Sequence, residues 1–171
     1  MLFPSQKFFL TGFMGSGKSY WGKLWAAEMN IAFIELDTLI EQQEGKTIAE
    51  VFEQSGETYF RNVESDLLKK ITGEQACIVS TGGGAPCYFD NMQWMDRHGT
   101  TIYLKASPKE LALRLQNEIT HRPVLKNVAA DQLENFIANK LIEREPFYSQ
   151  AKFILPVSEL NSDTLRLLNL Q

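Results

Sequence analysis

Residues 12–19 read Gly-Phe-Met-Gly-Ser-Gly-Lys-Ser, a set that could hold the phosphates of a nucleotide. The spacing satisfies G-x-x-x-x-G-K-[ST] at each fixed position, where glycines let backbone N–H groups close around phosphate oxygens. Gly12, Gly15, Ser16 and Gly17 would form the cradle. Lys18 would reach the β- and γ-phosphates, and the Ser19 hydroxyl would ligate Mg²⁺. Tyr20, the next residue, is placed with them on the nucleotide side. An apolar run (KFFLTG, 7–12) precedes the loop and a helical pattern (18–29) follows it. That strand–loop–helix setting adds the positive end of a helix to the cradle.

A phosphate loop serves switches, motors and kinases alike, so the acids decide the class. A guanine-reading N/T-K-x-D segment is missing, because Asn139-Lys140-Leu141-Ile142 lacks the aspartate. The run CIVSTGGG ends in threonine and glycines, while TIYLKA and FILPVS end without acids. Only IAFIELD delivers carboxylates, Glu35 and Asp37, to the C-terminal end of a strand. Strand C-termini line the ligand crevice of an open parallel sheet, which makes these two the candidates for metal and acceptor chemistry. Which of them lies closer to the metal is open at this level.

Other residues suggest a second ligand. Gly82, Gly83 and Gly84 follow a strand directly, and three glycines in a row cost conformational entropy that a plain turn does not need. Close approach of backbone to a ligand accounts for them. Only six arginines occur, and Arg61 has Glu64 three residues on, on the same helical face, where it could brace the guanidinium. A guanidinium presents paired donors that match a carboxylate.

The elements that must position these residues alternate along the chain. Apolar runs at 7–12, 31–36, 76–81, 100–105 and 152–157 alternate with helical patterns at 18–29, 60–71, 108–116 and 132–148. Short buried strands separated by helices predict parallel βαβ units. Thr-Ile-Ala-Glu (47–50) and Ser-Pro-Lys-Glu (107–110) read as capping boxes at helix starts. The stretch 117–131 is polar and broken by proline, as a mobile loop would be. Trp21, Trp25 and Met29 recur at helical spacing and read as core.

At 171 residues the chain is read as one domain, 1–171. A net charge of −4 argues against nucleic acid as a partner. No apolar stretch approaches the roughly 20 residues that span a bilayer. The first twelve residues lack a secretory pattern, so a cytoplasmic location is expected. Cys77 and Cys87 do not form a CxxC pair and are expected as reduced thiols. His98 is expected at a helix end; neither it nor His121 has a metal-ligand partner, and neither is given a role.

In order along the chain, LTGFMGSGKS, LDTLIE, GETYFRNVE, STGGGAP, HRPVL and REPFYSQA resemble the shikimate kinase family, small P-loop kinases of the nucleoside-monophosphate-kinase type. The resemblance implies a three-layer α/β fold: a five-stranded parallel sheet in the order 2-3-1-4-5, flanked by helices, with substrate-binding helices over about 37–73 and a mobile lid over about 117–131. It implies ATP-dependent phosphorylation of the shikimate 3-hydroxyl with Mg²⁺, by a monomer that binds shikimate and ATP and neither nucleic acid nor membrane. Asp37 matches the family acid that orients the substrate hydroxyls. Arg61 and Arg144 match the two arginines on the substrate carboxylate, and Gly82, Gly83 and Gly84 match positions in substrate contact, with the Thr81 region near metal and phosphate. Arg122 matches the lid arginine that closes on the phosphates. Arg114 matches an arginine packed on adenine, with a helix-face ion pair as the alternative. Phe52 and Phe60 match apolar residues beside the substrate pocket and could equally be core.

Two features depart from the family. Its usual Asp-x-Asp is here Glu35-Leu36-Asp37, which assigns Glu35 to the metal through water with a longer reach. Its adenine loop is not recognisable in 155–163. Competing readings are a kinase of another small metabolite, such as gluconate, and a nucleotide-binding regulatory module without catalysis.

Overall fold

A computed structural model describes residues 6–73, 75–117, 125 and 128–168. Strands β1 (Lys7–Thr11), β2 (Ala32–Glu35), β3 (Cys77–Ser80), β4 (Thr100–Lys105) and β5 (Phe153–Pro156) form one parallel sheet in the order β2-β3-β1-β4-β5. β1 is central and buried along its whole length, as expected of an apolar run flanked by strands on both sides. β5 lies at an edge, and there its terminal Pro156, which has no N–H to donate, is tolerated. The chain builds β2 and β3 on one side of β1 and then crosses to place β4 and β5 on the other. That reversal puts a crevice at the C-terminal ends of β1 and its neighbours.

The helices are α1 (Lys18–Met29), α2 (Leu36–Glu44), α3 (Ile48–Lys69), α4 (Asn91–His98), α5 (Pro108–Leu115), α6 (Leu133–Tyr148) and the short α7 (Thr164–Leu167). Both capping boxes form: Thr47 and Glu50 exchange hydrogen bonds at the start of α3, and Ser107 and Glu110 do so at α5. Each such cap contributes on the order of 1 kcal/mol to its helix. α3 is broken at Gly56, whose φ of 80° and ψ of 171° lie outside the helical region. The kink separates the first turns of α3 from a second segment that carries Glu57, Arg61 and Glu64. α4 was not among the helical patterns read from the sequence, although His98 does close it, with Nδ1 2.7 Å from the Trp94 carbonyl.

The core contains Phe8, Phe9 and Leu10 of β1, Ile78 and Val79 of β3, and Ile102, Tyr103 and Leu104 of β4, closed by Trp25, Leu68 and Tyr148. Each of these large apolar side chains contributes roughly 1.5–3 kcal/mol on burial. Trp25 is fully buried, whereas Trp21 and Met29 are partly buried against that core. Cys77 and Cys87 are free thiols. Among the described residues, no helix is long and apolar enough to cross a membrane.

Candidate active site

The loop between β1 and α1 has the conformation its glycines permit. Gly15 and Gly17 take φ values of 80° and 93°, in the left-handed region that disfavours a side chain. The Ser16 N–H donates to the Phe13 carbonyl (3.1 Å), which tightens the turn. The Lys18 ammonium is folded over the loop, donating to the carbonyls of Gly12 (2.8 Å) and Phe13 (3.0 Å). From α5, Arg114 Nη1 donates to the Gly15 carbonyl (3.0 Å) and so braces the loop from outside. This contact goes to loop backbone, while its charge also acts on Glu110, four residues before it on the same helix. Ser16 Oγ is buried and has no hydrogen-bond partner among the described residues. Beside the loop lies a cavity of about 540 Å³, lined by Lys18, Ser19, Tyr20, Trp21, Arg114 and Val157 among others.

Glu35 sits at the floor of that cavity. Its side chain makes no capping bond to α2, so the carboxylate is available to the cavity. Oε1 accepts from Ser19 Oγ (2.5 Å) and from Ser80 Oγ (3.0 Å). Ser80 reaches it because β2 and β3 pair Glu35 directly with Ser80. One carboxylate and two hydroxyls are hard oxygen donors that suit Mg²⁺, an ion held by few protein ligands together with substrate phosphates and water. Among the described residues, no group of three or more His, Cys, Asp or Glu is placed to hold a metal ion. Thr81 lines the cavity too, although its hydroxyl is turned to the Leu10 carbonyl (2.9 Å) and ties β3 to β1.

A second cavity, of about 120 Å³, opens on the other side of the glycine run and is lined by Phe52, Phe60, Arg61, Glu64 and Arg144. Arg61 is buried, with its guanidinium carbon 5.0 Å from the Phe60 ring centroid and 4.4 Å from that of Tyr88. Nη1 donates to Glu64 Oε2 (2.7 Å), the brace expected at this spacing. Nε and Nη2 donate to Glu57 Oε1 (3.3 and 3.1 Å), an acid the sequence reading did not single out. Tyr88 Oη donates to the same oxygen (2.9 Å). Partial burial favours the neutral form of Glu57, but these hydrogen bonds outweigh it and hold the carboxyl below its usual range.

Glu64 is fully buried, and its second oxygen has no hydrogen-bond partner among the described residues. Burial, with Asp37 nearby, pushes its pKa up to about 7 against the pull of Arg61 and Arg144. Arg144 lies over the Phe13 ring (5.2 Å), and its Nη1 is likewise buried without a partner among the described residues. A guanidinium nitrogen in that state calls for an acceptor from a ligand.

The glycines fit between these charges. A Cβ on Gly82 would collide with Glu64 Oε1, and one on Gly84 would lie 2.5 Å from Arg61 Nη2. Gly83 is wedged between Arg144 Nη1 and the phosphate loop, where a Cβ would meet Met14 N at 3.3 Å. Met14, Asp37, Gly82 and Gly83 line both cavities. Asp37, in the first turn of α2, therefore stands at the junction, its Oδ1 3.3 Å from the Cβ position of Gly82.

Of the residues chosen from sequence, the phosphate loop, Tyr20, Glu35, Asp37, Arg61, the three glycines, Arg114 and Arg144 all face these two cavities or the loop between them. Arg122, His121 and most of the 117–131 stretch lie outside the described residues. Phe52 and Phe60 line the smaller cavity, their rings 4.5 Å apart. Trp21, read as core, stacks on Trp25 and also forms part of the nucleotide-side wall. Ser80, Glu57 and Val157 are not singled out by the sequence; Ser80 comes to Glu35 through the register of β2 on β3.

The sequence profile of the shikimate kinase family matches residues 14–166. A shikimate kinase from Bacteroides fragilis is 44% identical over 154 residues, which cover 90% of this chain and 86% of that protein. The crystal structure of the shikimate kinase from Bacteroides thetaiotaomicron superposes with a TM-score of 0.85 at 42% identity, over 91% of this chain and 89% of that one. The shikimate kinase from Acinetobacter baumannii, solved in complex with shikimate, gives 0.86 at 28% identity over 96% and 90%. Profile, identity and superposition each extend over nearly the whole chain, so the chain belongs to the shikimate kinase family.

Proposed function

We propose that the chain transfers the γ-phosphoryl group of ATP to the 3-hydroxyl of shikimate, giving shikimate 3-phosphate and ADP on the route to aromatic amino acids. The observation that carries this reading is the wall shared by the two cavities, with Asp37 facing both. A phosphate loop on one side and two arginines on the other suit a nucleotide donor and a small carboxylated acceptor.

Lys18, the loop amides and the N-terminus of α1 would hold the phosphates. Ser19, with Glu35 and Ser80 behind it, would hold Mg²⁺. The ion, when bound there, would offset the negative charge of the phosphates during transfer. Arg144 and Arg61 would take the shikimate carboxylate, while Phe52 and Phe60 cover the ring. Charge-assisted hydrogen bonds of this kind are worth about 1.5–3 kcal/mol each. Asp37 would accept a hydrogen bond from the attacking hydroxyl, aligning its oxygen with the γ-phosphorus and receiving its proton. Phosphoryl transfer through a loose transition state asks little of a base, so alignment is the larger part of this role.

A coupled ADP-release assay with shikimate, gluconate and nucleoside monophosphates tests the assignment. ADP release dependent on shikimate alone is expected. ATP binding without turnover on shikimate, or faster turnover on gluconate, would overturn it.

A further inference from the structure

We infer that Tyr148 is a positioning residue for the acceptor: its phenol fixes the Gly83 peptide and thereby sets shikimate affinity. The inference rests on reading the 120 Å³ cavity as the shikimate site. Gly82, Gly83 and Gly84 carry no side chains to hold their own backbone, and such a run loses the most freedom on ordering. Its two ends are held from the core. Thr81 Oγ1 donates to the Leu10 carbonyl at one end (2.9 Å), and buried Asn91 donates from Nδ2 to the Ala85 carbonyl at the other (2.9 Å). The side-chain hydrogen bond at the middle comes from Tyr148, whose hydroxyl donates to the Gly83 carbonyl (2.5 Å) across 65 positions of sequence.

Tyr148 is suited to that task by its own surroundings. It is fully buried in the last turn of α6, with its ring 5.0 Å from that of Tyr103. The same turn is fixed to β4 through Glu145, which accepts from Tyr103 Oη (2.8 Å) and from Lys105 Nζ (2.5 Å). Arg144, four residues before Tyr148, projects on the same helical face and also meets Gly83, its Nη1 3.5 Å from the Cβ position. One anchored turn thus carries both the arginine proposed for the carboxylate and the hydroxyl that holds the peptide beside it. Burial drives the phenol pKa far up, so the hydroxyl stays a donor at any working pH. Gly83 in turn abuts Met14 of the phosphate loop, but that loop has its own braces in Lys18 and Arg114. Freeing Gly83 should therefore be felt on the acceptor side first.

Tyr148→Phe removes the hydroxyl and keeps the ring packed on Tyr103. Loss of one hydroxyl from a ring that stays packed is small beside the stability of a typical domain, so the variant folds. The expected result is a rise of roughly 5- to 30-fold in the shikimate KM with the ATP KM changed less than about 2-fold. Equal rises in both, or a lowered melting temperature with both KM values unchanged, would make Tyr148 a merely structural residue and overturn the inference. Wild-type enzyme that turns over no shikimate would instead defeat the reading on which the inference rests.

Discussion

Arg61 Nη1 donates to Glu64 Oε2 over 2.7 Å, and both side chains are buried beneath the glycine run. An ion pair taken out of water gains little net stability, because desolvation offsets most of its attraction. Here it gives a fixed guanidinium, stacked on aromatic rings and aimed at the smaller cavity.

The burial of Glu64 has a consequence for stability. Its folded pKa of about 7 lies above the ordinary carboxyl value, so the folded state binds the proton more tightly than the unfolded state does. A carboxyl raised in this way contributes stability that is fully present below its unfolded pKa and is lost as pH rises through the folded one. The melting temperature of the wild type should therefore fall relative to that of Glu64→Gln between about pH 4.5 and pH 7. Thermal melts of both proteins across that range test it; a pH-independent difference would contradict it.

Arg144 offers a cleaner probe of the carboxylate site than Arg61. Removing Arg61 strands the buried Glu64, whereas Arg144 forms no ion pair among the described residues and has a buried nitrogen awaiting an acceptor. Arg144→Ala should raise the shikimate KM by roughly 10- to 100-fold, the loss of one or two charged hydrogen bonds, and leave the ATP KM nearly unchanged. Arg61→Ala should do the same and also lower the melting temperature. Steady-state kinetics with each substrate varied in turn decide between this and a placement on the nucleotide.

Glu35 holds the hydroxyls of Ser19 and Ser80 through one oxygen. Glu35→Gln keeps the shape and removes the charge that would draw Mg²⁺. The Mg²⁺ concentration giving half-maximal activity should rise about 10-fold or more, the usual scale for loss of a group that orients or charges a metal site. An unchanged Mg²⁺ dependence would show that this carboxylate has no part in holding the ion.

How far these contacts are legible in the sequence depends on their reach along the chain. The phosphate loop and both capping boxes are local: their hydrogen bonds join residues a few positions apart, so residue type and spacing suffice. Arg61 with Glu64 belongs to the same class, one helical turn apart. Glu57 is equally close in sequence, but it begins the segment after the Gly56 kink, and its contact also depends on Tyr88 from beyond β3. Ser80 meets Glu35 through strand register, Val157 joins Arg114 in lining the donor cavity, and Tyr148 meets Gly83 through the docking of α6. Those three depend on how distant elements pack, which no local pattern encodes. Trp21 had helical spacing that marked its face correctly, yet that face lies partly on core and partly on the nucleotide wall.

The central claim is that the two cavities hold the two partners of one transfer, with Asp37 between them. Asp37→Asn preserves size and removes the group that would align the hydroxyl and take its proton. In this variant kcat with shikimate should fall about 10²- to 10⁴-fold while the affinity for ATP stays within about 2-fold of wild type. Near-normal turnover by the Asp37→Asn enzyme would contradict it.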